Sequence, residues 1–485
     1  MIDDRLLAAL TGAEVDAPAS GPFTGVATNS REVRPGDLFV ALPGARDGHD
    51  FLDDAIAAGA TGVLVTRPYD APPGVAVVRV PATLPALQEL GAAVRAGYDV
   101  DAVAITGSVG KTTTKDLLAH VLADEGHVLS SPKSYNNHLG VPLTLLLLEP
   151  THTGLVAEIG TNHPGEIRPL VDLVRPRAAL VTKVGFAHLG NFASQDALAD
   201  EKASIFSGVR PDGVWFVNAD DPVLRAAVDR LERPAATRVV TFGLSPEAEV
   251  RVTDLAVTED GTTGVVHVDG EQLPFRFPLT GLHFAGTVAS VVAIAVERGI
   301  APATAVARLA TFGASEGRAS MTTIRDGAVR VIDDSYNGSP DSMLAALDTL
   351  ASCAEPRRIA VLGEMRELGD WSERLHQEVG AKVGTTATEL VFIGPSAPVV
   401  GTAATAAGLP AARFHAVDSA PAAADLVEEL LADGSEPSAV LVKGARFVHT
   451  ERVPLVLDGV AVRCRRELCT LYIRCAVCPN LLVGD

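Results

Sequence analysis

Short apolar runs alternating with amphipathic stretches predict an α/β protein of three domains. These are a small N-terminal α/β unit over residues 1–98, a central mostly parallel sheet with helices on both faces over 99–316, and a C-terminal α/β unit over 317–454. Three observations carry that reading. The chain has 485 residues, more than one core sustains, because single cores stop growing at about 250–300 residues. The strand-then-helix alternation restarts near residue 101 and again near 318. A glycine-rich turn at 106–111 joins an apolar run to a helical pattern, as in sheets of the P-loop ATPase type.

In the first unit, Gly36-Asp37 turns into a strand over 36–42, followed by a helix over 51–60, a strand over 62–66 and a helix over 84–98. The central unit predicts strands over 102–106, 155–159, 178–181, 214–218 and 239–242, with helices over 111–124, 195–206 and 222–231. A hairpin insertion is expected over 251–268, broken at Asp260-Gly261. The third unit, Rossmann-like in its pattern, predicts strands over 329–333, 358–362, 390–393 and 439–442. Its helices are expected over 339–351, 372–383 and 420–432, the first with Ser339 as N-cap and Pro340 at N1.

Composition narrows the function classes. Hydrophobic residues make up 47% of the chain and charged residues 21%, which excludes a disordered or fibrous protein. A net charge of −20 opposes tracking along nucleic acid, which requires cations to displace counterions. The apolar run at 143–148 is too short to span a bilayer, and the opening Ile2-Asp3-Asp4-Arg5 resembles neither a secretory nor a transit leader. Five cysteines, four of them crowded after residue 463, make no disulfide framework for a large domain. A cytoplasmic enzyme is the expectation. Among 40 cations only seven are lysines: Lys111, Lys115, Lys133, Lys183, Lys202, Lys382 and Lys443.

Chemistry concentrates at strand ends. Gly107, Ser108, Val109, Gly110, Lys111, Thr112 and Thr113 follow the first central strand. Loop amides and a helix N-terminus there suit phosphates, with Lys111 reaching the terminal ones and Thr112 placed to ligate Mg²⁺. Ile105 stands where the eight-residue phosphate loop has its first glycine. Glu158 ends the second strand, at the edge where open sheets bind ligands, and a carboxylate suits Mg²⁺. His188 follows the third strand. Lys202 lies in a helical pattern beside Ile205 and Phe206, and residue type alone reads it as a solvated lysine. Asp334 and Asn337 precede a helix, where they serve either a nucleotide or the helix cap. Lys443 and Arg446 flank Gly444, as an anion site or an exposed loop.

In this order the motifs resemble the Mur ligases, ATP-dependent enzymes that build the peptide of bacterial cell-wall precursors. The likeness runs from about Thr24 to Val453. Tyr135 to Thr144, Gly160 to Ile167, and Asp333 to Asn337 with Pro340 to Met343 are similar to the family member that adds D-alanyl-D-alanine. The Asp-Asn-Pro-Arg signature of the diaminopimelate-adding sister is absent. The resemblance implies an ADP-forming ligase that phosphorylates the terminal carboxylate of UDP-N-acetylmuramoyl-tripeptide and joins it to D-alanyl-D-alanine, the final cytoplasmic step of peptidoglycan precursor synthesis. Two alternatives remain beside it: a paralogous ligase for another amine or carboxylate, and a silent nucleotide-binding relative.

By the same resemblance Lys111 and the loop amides hold ATP, and Thr112, Glu158 and His188 hold Mg²⁺. The lysine matching Lys202 carries CO₂ as a carbamate (N6-carboxylysine) that assists the metal. His283 and Arg318 approach the nucleotide, and Asp334, Asn337, Lys443 and Arg446 come from a third domain that closes for catalysis. Thr28, Ser30 and Arg31 match the uridine-diphosphate region. A monomer with small-molecule substrates and no nucleic-acid partner is implied. The chain departs from the family pattern at Asn29, Lys183, Thr287, Gly338-Ser339 and Ala445, where Asp, Asn, Asn, Ala-Asn and Ser are usual.

The tail over 455–485 leaves the pattern. Cys464, Cys469, Cys475 and Cys478 follow C-x4-C-x5-C-x2-C, with Arg463 just before them and Arg465, Arg466 and Arg474 between. That spacing fits no standard zinc pattern, and an appended or frame-shifted end is the favoured expectation over a metal site.

Overall fold

The computed structural model describes residues 2–258, 261–313, 319–432, 434, 436–466, 469, 475–478 and 480–481. Three sheets carry the chain. The first has the strand order Glu14–Ala17, Ala76–Arg79, Gly62–Val65, Leu38–Val40, Val26–Ala27, parallel except for its first pair. The sequence reading captured Leu38–Val40, Gly62–Val65 and the helix Thr83–Ala96, and missed the edge strands and the interior strand Ala76–Arg79.

The second sheet has nine strands. From one edge they run Glu271–Phe277, Gly261–Val268, Val250–Thr258, Arg238–Gly243, Val214–Asn218, Ala178–Val181, Asp101–Thr106, His152–Glu158 and His127–Ser130. Six parallel pairs stretch from Val250–Thr258 to His127–Ser130. The expected hairpin exists, but it is no insertion. It gains a third antiparallel strand and extends the main sheet.

Both faces of this sheet are covered, which explains why its strands read as unbroken apolar runs. Along Asp101–Thr106, Ala102 and Ala104 face one core while Val103 and Ile105 face the other. The first core also takes in Leu38, Leu64 and Leu87 of the N-terminal unit, so those two units share one apolar interior. The second is closed by the helices Lys111–Leu122 and Phe284–Glu297, the latter apolar almost all round and absent from the sequence reading.

The third sheet has the order Ser320–Ile324, Val329–Asp333, Ser438–Lys443, Arg357–Gly363, Glu389–Ile393, Phe414–Val417, parallel except for its first pair. Helices cover both of its faces. Ser339 is the N-cap of Pro340–Ala351 as expected, its N–H received by Ser342 Oγ at 3.0 Å. Phe186 and Trp371 pack against both the central and the third core. No helix among the described residues is long and apolar enough to cross a membrane.

One buried cation joins the first two units. Arg95 donates from Nε to Val174 O at 2.7 Å, from Nη1 to Tyr98 O at 2.8 Å and from Nη2 to Val100 O and Arg175 O at 3.3 Å each. Removing the donor strands several carbonyls away from water. Arg95→Met is therefore expected to cost about 3 kcal/mol, read as a lower urea midpoint at unchanged slope.

Candidate active site

The strand Asp101–Thr106 has neighbours on both sides that come later in the chain, so the sheet reverses its winding direction beside it. A crevice opens at such a point above the carboxyl ends of the strands. The glycine-rich loop fills it. Gly107 has φ 149°, and a Cβ there would lie 1.9 Å from Thr182 Oγ1, so only glycine fits. Thr182 Oγ1 donates to Val109 O at 2.6 Å, and Ser108 N–H donates to Lys183 O at 2.7 Å. The loop is held in shape before any ligand arrives. Gly110 turns through φ 81° into the helix that begins at Lys111, and Lys111 Nζ donates to Gly107 O at 2.6 Å. Thr287 Oγ1 comes within 3.9 Å of the Cβ position of Gly110, which places the helix Phe284–Glu297 against the phosphate loop.

Glu158 ends its strand with 1% of its surface exposed. Oε1 accepts from Asn136 Nδ2 at 2.7 Å, while Oε2 is buried with no hydrogen-bond partner. Ser108 Oγ, in the phosphate loop, is likewise buried and unpartnered. A buried carboxylate oxygen without a donor is costly unless a cation satisfies it. The free oxygen of Glu158 thus fits a hard divalent ion, whose preferred ligands are oxygens.

Asn136 escaped the sequence reading of the site, although its stretch was noticed for its resemblance. Lys115 braces the same loop. It is 2% exposed and donates to Ser131 O at 2.6 Å and Lys133 O at 3.0 Å, with Asp116 Oδ1 at 2.9 Å. Ser131 Oγ in turn accepts the N–H of Glu158 at 3.0 Å. A buried cation and a side-chain amide therefore aim one carboxylate. The available signal was the retention of lysine in an arginine-biased chain.

Lys202 corrects the expectation drawn from its residue type. It is 1% exposed on the helix Gln195–Ala203, not solvated. Burial, and then the nearby charge of Lys111, push its ammonium well below the usual lysine range. The helix expected over 195–206 ends at Ala203 and continues as a 3₁₀ turn, Ser204–Gly208.

His188 stands in the left-handed region at φ 64°. Its Nδ1 pairs with Glu367 Oε2 of the third unit, a hydrogen bond that holds the Glu367 carboxyl below its ordinary range. Three more contacts cross the same boundary. Asp341 accepts the Phe186 N–H at 2.7 Å and lies 3.4 Å from Lys183 Nζ, and Tyr336 OH shares a 3.0 Å hydrogen bond with Ser134 Oγ. Lys183, one of the departures from the family pattern, is thus engaged by Asp341.

The third unit brings Asp334, Asn337 and Lys443 together. Lys443, 3% exposed, donates to Asp334 Oδ2 at 2.5 Å and to Asn337 O at 2.9 Å. The exposed-loop reading of Lys443 fails, and its ammonium serves the fold of this arm. Arg446 lies over the Tyr336 ring at 5.5 Å and faces Glu451 Oε1 at 3.6 Å. His283 is solvent-exposed at the start of its helix, within electrostatic reach of Asp334 and Lys443. Thr28, Ser30 and Arg31 lie at the short turn after Val26–Ala27, where Asn29 Oδ1 accepts the Arg31 N–H at 3.2 Å. Arg318 lies outside the described residues.

A phosphate loop at a sheet switch point, a buried carboxylate with one free oxygen, a desolvated lysine and a third-domain arm define a nucleotide-dependent transferase or ligase fold. Comparison narrows the class. The family patterns for the Mur ligase family catalytic domain, the Mur ligase middle domain and the Mur ligase glutamate ligase domain match residues 22–104, 105–295 and 317–446. The chain belongs to the Mur ligase family. It is similar to the UDP-N-acetylmuramoyl-tripeptide–D-alanyl-D-alanine ligase of Escherichia coli, at 34% identity over 94% of this chain and 97% of that one. The enzyme of the same name from Synechocystis is 35% identical over 84% of this chain and 87% of its own. Among solved structures, MurF from Acinetobacter baumannii superposes with a TM-score of 0.85 at 28% identity, covering 94% of this chain and 99% of that one. MurF ligase from Thermotoga maritima in complex with ADP gives 0.79 at 25% identity, covering 90% and 97%.

Lys115→Met is expected to lower stability by about 2 kcal/mol and to weaken activity, because two buried carbonyls lose their donor and the Asn136 loop loosens. Thermal denaturation beside a turnover assay separates the two effects: folded protein at 25 °C with reduced turnover supports the bracing role.

Proposed function

We propose that this chain is an ATP-dependent, ADP-forming ligase that joins D-alanyl-D-alanine to UDP-N-acetylmuramoyl-tripeptide in the bacterial cytoplasm. The observation that carries this reading is the meeting of the phosphate loop, the half-satisfied Glu158 and the buried Lys202 beneath the third-domain arm. The two enzymes of that name, similar over most of their length, support the choice of substrates.

The chemistry follows from the groups present. Lys111 leaves its Gly107 carbonyl for the β- and γ-phosphates, which the loop amides cradle. Thr112, Glu158, His188 and a carboxylated Lys202 would hold Mg²⁺, which supplies charge neutralisation for phosphoryl transfer. Burial favours the neutral, nucleophilic form of the Lys202 amine, whose nitrogen adds to CO₂, loses a proton to solvent and becomes a carbamate anion. That anion gives Lys202 a negative charge beside Lys111, where an ammonium would repel it. An oxygen of the tripeptide carboxylate attacks the γ-phosphorus and ADP departs, leaving an acyl phosphate. The dipeptide amine then attacks the acyl carbon. Phosphate leaves with the C–O pair, and the amine proton passes to solvent. Positioning by Asp334, Asn337 and Arg446, with third-domain closure to exclude water, does the remaining work.

Phosphate release should require both substrates, with the pentapeptide product seen by mass. Release that ignores the dipeptide would favour a paralogous ligase, a reading to which Lys183 and Thr287 lend weight. Lys202→Ala is expected to lower turnover about 10²–10³-fold with nucleotide binding retained, as for loss of one positioned electrostatic group, and small carboxylates should restore part of it. Stripping CO₂ from the buffer should depress the native enzyme reversibly, with bicarbonate restoring it, and leave the Lys202→Ala variant unmoved.

A further inference from the structure

Beyond the active site, the tail cysteines meet two residues that their own spacing could not reveal. We propose that His449, Glu451, Cys475 and Cys464 form a structural zinc(II) site that fastens the C-terminal tail to the third domain.

Three of the four stand as a coordination shell would place them. His449, Glu451 and Cys475 are all buried, and their ligand atoms lie within 4.8 Å of one another. His449 Nδ1 stands 3.5 Å from Cys475 Sγ and 3.0 Å from Glu451 Oε1. Bonds of about 2.0 Å to nitrogen and 2.3 Å to sulfur, at a tetrahedral angle, separate the two ligand atoms by about 3.5 Å. The other ring nitrogen, Nε2, lies 3.3 Å from the carbonyl of Cys469. A donor bond there fixes the tautomer that leaves Nδ1 free, as ligating histidines do. Glu451 is 1% exposed, and its Oε2 has no hydrogen-bond partner.

The fourth ligand is Cys464, which lies outside the 4.8 Å cluster of the other three and would close onto the ion. It is buried, and it lines the same cavity of about 10 Å³ as His449, Arg452 and Cys475. That volume is about one water-sized sphere, room for an ion and nothing larger. Arg452, itself 1% exposed, donates from Nε to Cys475 Sγ at 3.3 Å and from Nη2 to Cys464 Sγ at 3.5 Å. Both sulfurs thus share one guanidinium. Zinc would hold both sulfurs as thiolates, and the guanidinium beside them would offset that charge. Two thiolates, a carboxylate and zinc(II) leave one negative charge, which Arg452 neutralises. Thiolate and imidazole ligands in a tetrahedral shell select zinc over Mg²⁺, and binding releases the thiol protons to solvent.

The site joins Cys464 and Cys475 of the tail to the loop that follows the last strand of the third sheet. Glu451 also faces Arg446 at 3.6 Å, so the same tie steadies the arm beside the active site.

The test is metal content of the full chain purified under reducing conditions, incubated with zinc and desalted. About one zinc per chain is expected, held through desalting as structural sites hold it. Cobalt(II) in its place should give a thiolate charge-transfer band and the visible bands of a tetrahedral site. Cys475→Ser and His449→Ala should lose the metal, whereas Cys353→Ser, in the loop after the helix Pro340–Ala351, should keep it. Wild-type protein with no zinc above the buffer blank overturns the proposal, as does a Cys475→Ser variant that binds as much as wild type. If either variant fails to fold, the cobalt spectrum of the wild-type chain still decides: uptake without a thiolate band rejects the site.

Discussion

The parallel pairing of Asp101–Thr106 with a neighbour on each side is the constraint on which the rest depends. A strand buried on both faces cannot shift register without driving its apolar side chains into the wrong core. Its carboxyl end is therefore a fixed point, level with the ends of His152–Glu158 and Ala178–Val181. The phosphate loop, Glu158 and the segment leading to His188 all start from that level. The crevice between them is a consequence of sheet winding before it is a matter of chemistry.

Charge placement inside the crevice follows a second logic. Lys115, Lys111 and Lys202 are three of only seven lysines, and each meets a different fate. Lys115 is fully engaged by carbonyls and acts as a buried brace. Lys111 rests on its own loop, its ammonium on the Gly107 carbonyl. Lys202 is desolvated beside Lys111 and held toward its neutral form. Arginine, charged at any accessible pH, could not occupy the third position in that state.

The third domain reaches the crevice through side chains that also serve other purposes. Asp341 caps the approach at Phe186 and holds Lys183, Glu367 holds His188, and Tyr336 touches Ser134. His188, beside the crevice, is thus tied to the third domain through Glu367. Exchange of that contact for a ligand offers a physical route by which substrate binding and domain movement are coupled.

Much of this was legible in the residues alone. The phosphate loop, the strand ends carrying Glu158 and His188, the N-cap at Ser339 and the central strands of each sheet follow from local pattern, because turn chemistry and two-sided burial leave marks on neighbouring residues. Edge strands such as His127–Ser130 and Phe414–Val417 left none, since a short half-covered strand has no distinctive period. The helix Phe284–Glu297 was missed because it is buried all round and so loses its amphipathic stripe. What only the tertiary structure decided are the long-range meetings: Asn136 with Glu158, Lys183 with Asp341, His449 with Cys475, and the burial of Lys202. Residue type sets what a group can do. Its state of charge depends on how much water and which charges surround it, and those neighbours come from distant parts of the chain.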